Sequence, residues 1–469
     1  MARSSRRVSF PRPLLLALAC VVSAIAPASA QSRAAGDAAC AAPTSEGSSS
    51  SSAEALASLV DVYDLARATS EYVIKLRREL HLHPELMWTE TKTSALVKRE
   101  LDLLGASHVE ISPPGVVATI GDGASPVVLL RADMDALPMR EESAIPPNMR
   151  STRDGVMHAC GHDGHVAMLL GAAKVLTQMA EMGSLPPGTV RLAFQPAEEG
   201  GAGARRMLED GLDDLRPPTQ SSFALHNWPY PETPSGVVGT RGGTIMAGSG
   251  SFEIAFTGAG GHAAVPHKNV DVVVCGANAV IALQTIVSRL VDPLDSAVVS
   301  VTVFQAGGAA SNVMGDVATL RGTFRALSKK TFEWLHQAIT KIVVSTATAH
   351  GCAVNVEYFP VSGGVRHEEY PPTVNDVDAA KFAAGVGAAM FGADAVVDVE
   401  PVMPAEDFSF FAERWPSAMM WLGSYNVSAG ATHALHSTKY VLDESVLHRG
   451  VAMHAGYAVA FLKNGGKFA

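Results

Sequence analysis

The hydrophobic positions of residues 54–240 predict alternating helices and strands. Apolar residues recur at helical spacing in two long segments, whereas the predicted strands are continuous runs of Val, Leu and Ala, as in a sheet covered on both faces. This pattern is typical of an α/β domain with a mixed, mainly parallel sheet. The predicted elements are helix 54–82, strand 115–120, strand 127–133, helix 166–182, strand 189–195 and strand 222–226.

From residue 250 the order of the predicted elements becomes strand, helix, strand, strand, helix, strand, which is a ferredoxin-like unit. We therefore predict an α/β domain in two parts, 54–243 and 361–469, which is interrupted by an inserted ferredoxin-like domain, 244–360. The elements behind this division are 251–257, 271–290, 297–305, 316–325, 330–350 and 353–359, followed by helix 377–391, strand 418–423 and a closing helix from residue 446.

The first thirty residues have the pattern of a secretory signal peptide. Four arginines precede an apolar run from Leu14 to Ile25, which is too short to span a bilayer, and Ala28-Ser-Ala30 matches a cleavage site. An uncleaved N-terminal anchor is the alternative. Residues 31–53 are rich in serine and are predicted to be a disordered leader. We expect secretory entry, with a secreted, ER-lumenal or periplasm-like destination and no stable membrane insertion.

The net charge argues against one class of partner, and the number of cysteines argues against a disulfide framework. The formal net charge of −10 would become −14 after loss of the arginine-rich first thirty residues, which argues against a nucleic-acid partner. The cysteines are too few for a disulfide framework in a chain of this length. Cys160 is therefore predicted to be a thiolate ligand, with a disulfide as the alternative, and the pairing of Cys40, Cys275 and Cys352 is left open.

The segment 157–165 concentrates metal-binding side chains just before a predicted helix. Cys160 and His162 alternate around one glycine, a spacing that lets a loop turn both donor atoms toward one point. Ligands collect at the carboxyl ends of strands in open α/β sheets, so further donors near such ends predict one shared site. The other candidate donors follow predicted strands or lie in a C-terminal loop: Glu198, Glu199, His226, His433 and His436.

Five motifs, in order along the chain, resemble those of one enzyme family. Between about residues 70 and 463 the sequence is similar to amidohydrolases that cleave auxin (indole-3-acetic acid) amino-acid conjugates. Hippurate hydrolases and N-acyl amino acid deacylases share these motifs, within the wider aminoacylase and carboxypeptidase family. The motifs are Leu130-Arg-Ala-Asp-Met-Asp-Ala-Leu-Pro138, Met157-His-Ala-Cys-Gly-His-Asp-Gly-His165, Phe194-Gln-Pro-Ala-Glu-Glu-Gly200, Gly261-His-Ala-Ala-Val-Pro-His267 and Leu435-His-Ser437.

The resemblance implies a zinc-exopeptidase-like catalytic domain, a lid or dimerisation domain and a dinuclear metal centre that hydrolyses N-acyl amino acids. Cys160 would bridge the two metal ions, and Glu198 would be the catalytic base. Adjacent glutamates on an extended segment point in opposite directions, which would let Glu199 ligate while Glu198 faces the attacking water. The remaining implied ligands are His162, Glu199, His226 and His436.

Four further positions have expected roles. Asp135 is expected to orient a ligand imidazole, or else to cap the following turn. His262 resembles the histidine that this family brings to the developing oxyanion, often across a dimer interface; the alternative is a turn histidine. Asn312 and Arg325 are expected to hold the substrate carboxylate. A homodimer through the inserted domain is also expected, because its sheet has an edge strand.

Two divalent metal ions are expected, and Mn²⁺ is favoured because the family is commonly manganese-activated, although Zn²⁺ or Co²⁺ would also suit the donors. The alternatives within enzymes are a metallo-dipeptidase or carboxypeptidase and a hippurate or N-acetyl amino acid deacylase. A metal-buffering or conjugate-binding protein would need a dead site, which the intact Glu198 argues against. A cysteine hydrolase using Cys160 would differ in its sensitivity to chelators. The acyl and amino-acid preferences are left open.

Overall fold

The computed structural model describes residues 49–469 except 309, 363–364 and 367. The predicted signal peptide and most of the predicted leader therefore lie outside the described residues. The elements of the first part of the chain are α1 (Ser49–Ala68), α2 (Ser70–Leu82), α3 (Thr91–Leu103), β1 (Ser107–Glu110), β2 (Val116–Gly121), β3 (Val127–Asp133), α4 (His162–Glu181), β4 (Thr189–Gln195), α5 (Gly203–Glu209), β5 (Ser221–Trp228), β6 (Val238–Thr240) and β7 (Gly243–Met246).

The remaining elements fall into a middle part and a C-terminal part. The middle part contains β8 (Gly248–Thr257), β9 (Gly261–His262), α6 (Val272–Thr285, continued by a π-helical turn Ile286–Leu290), β10 (Ala297–Ala306), β11 (Val313–Met314), β12 (Val317–Ala326), α7 (Lys329–His350) and β13 (Ala353–Tyr358). The C-terminal part contains β14 (Val361–Ser362), β15 (Val365–Arg366), β16 (Thr373–Asn375), α8 (Val377–Phe391), β17 (Val396–Asp398), α9 (Ser409–Arg414), β18 (Ser417–Gly423) and α10 (Leu447–Lys463).

The larger sheet has eight strands in the order β1-β2-β4-β3-β5-β18-β6-β17. The central strands β4, β3, β5 and β18 are mutually parallel, whereas β1, β2 and β6 introduce antiparallel pairs. The mixed, mainly parallel sheet predicted from the sequence is confirmed. Because the four central strands run in one direction, their carboxyl ends meet at a single edge, which is where ligands bind in such sheets.

Both faces of this sheet are covered. Successive residues of β3 alternate between two hydrophobic cores: Leu130 packs in the core that contains helices α4 and α10, and Leu129 packs in the core that contains Phe408 and Trp421. Full burial on both faces removes any need for polar alternation, which is why β3, β4 and β18 read as continuous apolar runs.

The middle part forms a separate four-stranded antiparallel sheet in the order β10-β12-β8-β13. With α6 and α7 between its strands, this unit has the predicted strand and helix order, and its own core includes Phe252, Leu320 and Leu335. The alternating burial of β8 reflects a sheet with one face against the helices and the other toward solvent. The domain boundaries at 243 and 360 and the lid role stay predictions.

Helix α6 and its π-helical extension, Val272–Leu290, form one helix among the described residues that is long and apolar enough to cross a membrane. Only a third of this stretch is buried. Its buried residues, such as Cys275, Ala279 and Leu283, pack in the core of the four-stranded unit. The buried side of this helix is therefore apolar because it packs in the core of a folded domain.

Several predicted boundaries differ from the structure. The predicted helix 54–82 is two helices, which begin at Ser49 and at Ser70 and meet at Thr69, whose hydroxyl donates to the Ala66 carbonyl. Hydroxyls that bond to a nearby carbonyl favour helix ends. Strand β5 runs to Trp228 instead of ending at residue 226, because β18 pairs with it as far as Gly423. Helices α3 and α5 and strand β1 were not predicted.

Candidate metal centre

Cys160 and His162 are placed by a left-handed glycine at the start of α4. Gly161 has φ +86°, and its carbonyl accepts the N–H groups of Gly164 and His165, so the helix begins at His162 and not at residue 166 as predicted. A Cβ atom at position 161 would lie 2.4 Å from Asn227 Nδ2, so only glycine fits there. The first helical turn, and not a loop, therefore carries His162 next to the Cys160 thiol.

Glu198 and Glu199 lie in a turn that follows β4, not on the predicted extended segment. Ala197 and Gly200, with φ +57° and +110°, flank them, and the Gly200 N–H donates to the Glu198 carbonyl. Positive φ on both sides reverses the chain immediately after the strand. The two carboxylates still diverge: Glu199 Oε1 lies 3.3 Å from His436 Nε2, and Glu198 Oε1 accepts the Asp407 N–H at 3.4 Å.

The two other predicted histidine ligands are fixed by their backbones and neighbours. His226 lies near the end of β5, where its Nδ1–H donates to the Asn227 carbonyl at 2.7 Å, so that Nε2 keeps a free lone pair 3.4 Å from the Cys160 sulfur. His436 has φ +61°, and its backbone N–H donates to the Ala159 carbonyl at 2.9 Å. The C-terminal loop is thereby joined to the Cys160 segment.

The five predicted ligands form two overlapping groups. Within each group, the donor atoms lie within 4.8 Å of one another. One group contains Cys160, His162 and His226, and the other contains Cys160, Glu199 and His436. Cys160 belongs to both. Thiolate, imidazole and carboxylate donors in two groups of three, sharing one sulfur, match the donor set of a dinuclear centre for transition-metal ions.

The electrostatics of this cluster also fit bound cations. Both ring nitrogens of His162 and Glu199 Oε1 are buried, and their contacts with Asp135, Asp133 and His436 at 3.3 to 3.5 Å lack hydrogen-bond geometry. Burial lowers the pKa of His162, but the charges of Asp133 and Asp135 outweigh this effect and raise it to about 10. Burial and the neighbouring glutamates raise the pKa of the Cys160 thiol well above its usual range. Divalent cations would neutralise this excess negative charge and stabilise the thiolate.

Two buried aspartates contact the predicted ligands or the residues next to them. Asp135 lies 3.4 Å from His162 Nδ1, and its two oxygens accept the backbone N–H groups of Glu198 and Glu199 at 3.0 and 2.9 Å. Asp133 accepts from His165 Nδ1 at 2.6 Å. His165 Nε2 in turn accepts the Asn227 N–H, so both of its nitrogens are engaged. His165 is therefore a supporting residue, although it lies beside the cluster.

Sequence reasoning missed a buried charge network next to Glu198. Arg131, in the middle of β3, donates to Asp133, Glu406 and Asp407 at 2.8 to 2.9 Å and to Gln195 at 2.8 Å. The single positive charge of Arg131 lies among several carboxylates. Burial and the charge of Glu406 raise the pKa of Glu198 well above its usual range. The clue in the sequence was an arginine between Leu130 and Ala132 of a buried strand, because a buried cation requires acidic partners.

The three other predicted site residues lie in the four-stranded unit, outside the two metal-ligand groups. His262 on β9 and Asn312 are both exposed and adjacent, since β9 pairs with β11 and the Ala263 N–H donates to the Asn312 carbonyl. Arg325 is half-buried near the end of β12, where it donates to the Met403 carbonyl at 3.3 Å. Arg325 thus touches the C-terminal part of the chain, and His262 and Asn312 lie next to each other within the four-stranded unit.

Comparison with known proteins identifies a family that this chain resembles over most of its length. The profile of peptidase family M20/M25/M40 matches residues 129–460. An IAA-amino acid hydrolase (ILR1-like 2) from Arabidopsis thaliana is 42% identical over 84% of this chain and 86% of that protein. A hippurate hydrolase from Campylobacter jejuni is 37% identical over 83% and 96%.

A solved structure extends the similarity to the fold. The dinuclear metal-binding peptidase of the M20 family from Bacillus subtilis has a TM-score of 0.69 and 31% sequence identity to this chain. The match covers 84% of this chain and 99% of that one. A match of this extent is too long to be confined to the larger sheet or to the four-stranded unit alone. The chain therefore belongs to peptidase family M20/M25/M40.

Proposed function

We propose that this metal-dependent amidohydrolase cleaves the amide bond of N-acyl amino acids, such as indole-3-acetyl or benzoyl conjugates, to release a carboxylic acid and a free amino acid. The observation that carries the proposal is the pair of metal-ligand groups that share Cys160, with the buried Glu198 carboxylate beside them. Relatives named as an IAA-amino acid hydrolase, a hippurate hydrolase and an N-acetylcysteine deacetylase support the substrate class.

We propose that Cys160, His162 and His226 hold one divalent cation and that Cys160, Glu199 and His436 hold the other. Bound there, the cations would polarise the scissile carbonyl and lower the pKa of a water molecule between them. Mn²⁺ is the ion we favour, with Zn²⁺ or Co²⁺ as substitutes. Asp135, which accepts the Glu199 N–H, orients the turn and the His162 ring for this task.

Glu198 is the proposed base. Its carboxylate is 6% exposed and is set apart from Glu199, which faces His436. One Glu198 oxygen would take the proton of the attacking water and then deliver it to the leaving amine nitrogen. The pKa of Glu198, raised by burial and by the charge of Glu406, suits a group that must hold the transferred proton between these steps.

We assign the substrate carboxylate to Arg325 and Asn312, with His262 as a donor to the developing oxyanion. Replacing Arg325 by Ala should raise KM by about tenfold to a hundredfold, because a charge-assisted hydrogen bond to the substrate is lost, with a smaller change in kcat. Arg321→Ala on the same strand is the control, since Arg321 is exposed and pairs with Glu253. Steady-state kinetics with equal effects of both substitutions would contradict the assignment.

The proposed reaction is tested by measuring amino-acid release from indole-3-acetyl, benzoyl and acetyl amino acids. Protein stripped with chelator should be inactive, and Mn²⁺ or Zn²⁺ should restore hydrolysis of at least one conjugate. The profile of rates across the panel would define the acyl preference. Hydrolysis of unblocked dipeptides alone would favour a dipeptidase or carboxypeptidase, and activity that survives chelation would favour a cysteine hydrolase.

We further propose a homodimer through the four-stranded unit. Among the described residues, strand β10 pairs only with β12, and the neighbouring helix α6 exposes Val273, Val274 and Ile281, the last at 68% exposure. An unpaired edge beside an apolar helix face matches a self-complementary contact with a second copy. Sedimentation should give a dimer for the wild type and a shift toward monomer for Ile281→Glu. Leu103→Glu, at an exposed site on α3, should leave the dimer intact; a wild-type monomer at micromolar concentration would reject the proposal.

The compartment remains a proposal that rests on the N-terminal sequence. We propose that the chain enters the secretory pathway, because the arginines, the short apolar run and Ala28-Ser-Ala30 match a cleavable signal. N-terminal sequencing of the mature protein should begin at Gln31. A mature chain that retains residues 1–30 would contradict this proposal.

A further inference from the structure

The turn that carries Glu198 and Glu199 has an unfavourable backbone. Within six residues, Ala197, Gly200 and Ala202 have φ values of +57°, +110° and +51°, and two of these are alanines. Left-handed conformations at residues with a Cβ atom cost free energy and persist only where surrounding contacts hold them. The position of both glutamates therefore depends on groups outside the turn.

One side chain, Tyr370, makes three hydrogen bonds to this turn. Its hydroxyl donates to the Glu198 carbonyl at 2.5 Å and accepts the N–H groups of Gly200 and Ala202 at 2.8 and 3.1 Å. A phenol has one donor and two acceptor sites, so its entire hydrogen-bonding capacity is spent on the turn. The side chain is 5% exposed, and burial and the charge of Asp407 raise the pKa of Tyr370 well above its usual range, which keeps the donor proton in place.

Tyr370 also lies in the segment by which the chain returns from the four-stranded unit to the larger sheet. Its backbone exchanges two hydrogen bonds with Ser249, at 2.9 and 3.1 Å, in the segment where the chain enters that unit. Two residues earlier, the Glu368 N–H donates to the Gly200 carbonyl at 2.9 Å. The two crossings between the sheets therefore lie side by side, and one of them is bonded directly to the turn.

We propose that Tyr370 is a positioning residue that fixes the Glu198 turn and ties it to the connection between the two sheets. Glu90 and Asp135 hold the N–H groups of residues 197–199 from within the larger unit. Tyr370 is different because it bonds to the far side of the turn from a segment that also pairs with the four-stranded unit. The position of Glu198 thus depends on the position of the segment that carries Tyr370. The inference rests on the proposed role of Glu198 as the base.

The test is Tyr370→Phe in the metal-loaded enzyme, which removes the hydroxyl and keeps the ring. We expect kcat to fall by about tenfold to a hundredfold, because three hydrogen bonds to the turn are lost. KM should change little, since the Tyr370 hydroxyl bonds only to the backbone of the turn, and the fall in kcat should persist at a metal concentration that keeps both proposed metal sites filled. Tyr358→Phe is the matched control: Tyr358 donates to the His336 carbonyl inside the four-stranded unit, so its loss should lower Tm without lowering kcat.

Amide hydrogen exchange of the wild type provides a second measurement that does not depend on how the variant folds. The N–H groups of Gly200 and Ala202 should be protected in the wild type and should exchange faster in Tyr370→Phe than in Tyr358→Phe. Equal kcat in Tyr370→Phe and the wild type at saturating metal, or rapid exchange of these amides in the wild type, would each overturn the inference. If the metal-loaded wild type hydrolyses no conjugate, the proposed function fails, and the exchange result still tests the contact.

Discussion

Replacing Glu198 by Gln should lower kcat by about a hundredfold to ten-thousandfold while leaving the bound metal unchanged. The amide cannot accept the proton of the attacking water or return it to the leaving amine. Glu198 is not needed to complete either metal-ligand group around Cys160, so metal binding should survive. Steady-state kinetics and elemental analysis of the same preparation measure both outcomes.

Two control substitutions sharpen this test. Glu199→Gln should lose metal as well as activity, because Glu199 belongs to the group with Cys160 and His436. Glu400→Gln, at a side chain that is 99% exposed, should match the wild type in both measurements. A Glu198→Gln enzyme with near wild-type turnover, or one that has lost its metal, would show that the base has been assigned wrongly.

Replacing Arg131 by Met should destabilise the fold by about 3–5 kcal/mol, because it leaves buried carboxylates without their cation. Arg131 is 1% exposed and contacts three carboxylates, those of Asp133, Glu406 and Asp407. Methionine fills much of the same volume, so the change in unfolding free energy reports mainly the lost charge. Urea unfolding of both proteins, with metal removed, measures the difference.

Arg99→Met is the matched control for this substitution. Arg99 also pairs with two carboxylates, those of Glu79 and Glu100, but its side chain is 48% exposed. Exposed ion pairs contribute about 0–1 kcal/mol, since water solvates Glu79 when Arg99 is removed, and the less exposed Glu100 keeps its hydrogen bond from the Tyr72 hydroxyl. Similar losses of stability in Arg131→Met and Arg99→Met would contradict the account of the buried network.

The parts of the fold that were predicted from the sequence are those in which local pattern and tertiary burial agree. Strands β3, β4 and β18 are mostly apolar and fully buried because both faces are covered, and α7 keeps a helical apolar stripe against a single sheet. Where tertiary contacts decide, the predicted bounds were wrong: β5 continues past His226 to Trp228 because β18 extends the pairing, and α4 begins early because Gly161 is left-handed.

The candidate site also has a part that the sequence predicted and a part that it did not. The ligand types could be read from Cys160, His162 and Glu199 because thiolate, imidazole and carboxylate side chains near strand ends have few other uses. The contacts of Arg131 with Asp407 and of Tyr370 with Glu198 join positions far apart in the chain, so no local spacing announces them. Those contacts explain how the turn is held, which the motifs alone do not.

The most direct test of the dinuclear account is a metal titration of the stripped enzyme. Mn²⁺ is added in steps while bound metal and the rate of conjugate hydrolysis are measured on the same sample. The account predicts no hydrolysis without metal, and a rate that reaches its plateau when two equivalents are bound per chain. Cys160→Ala should bind less than two equivalents at the same concentration, because the residue shared by both ligand groups is lost. Full activity without metal, or a plateau at one bound ion, would contradict it.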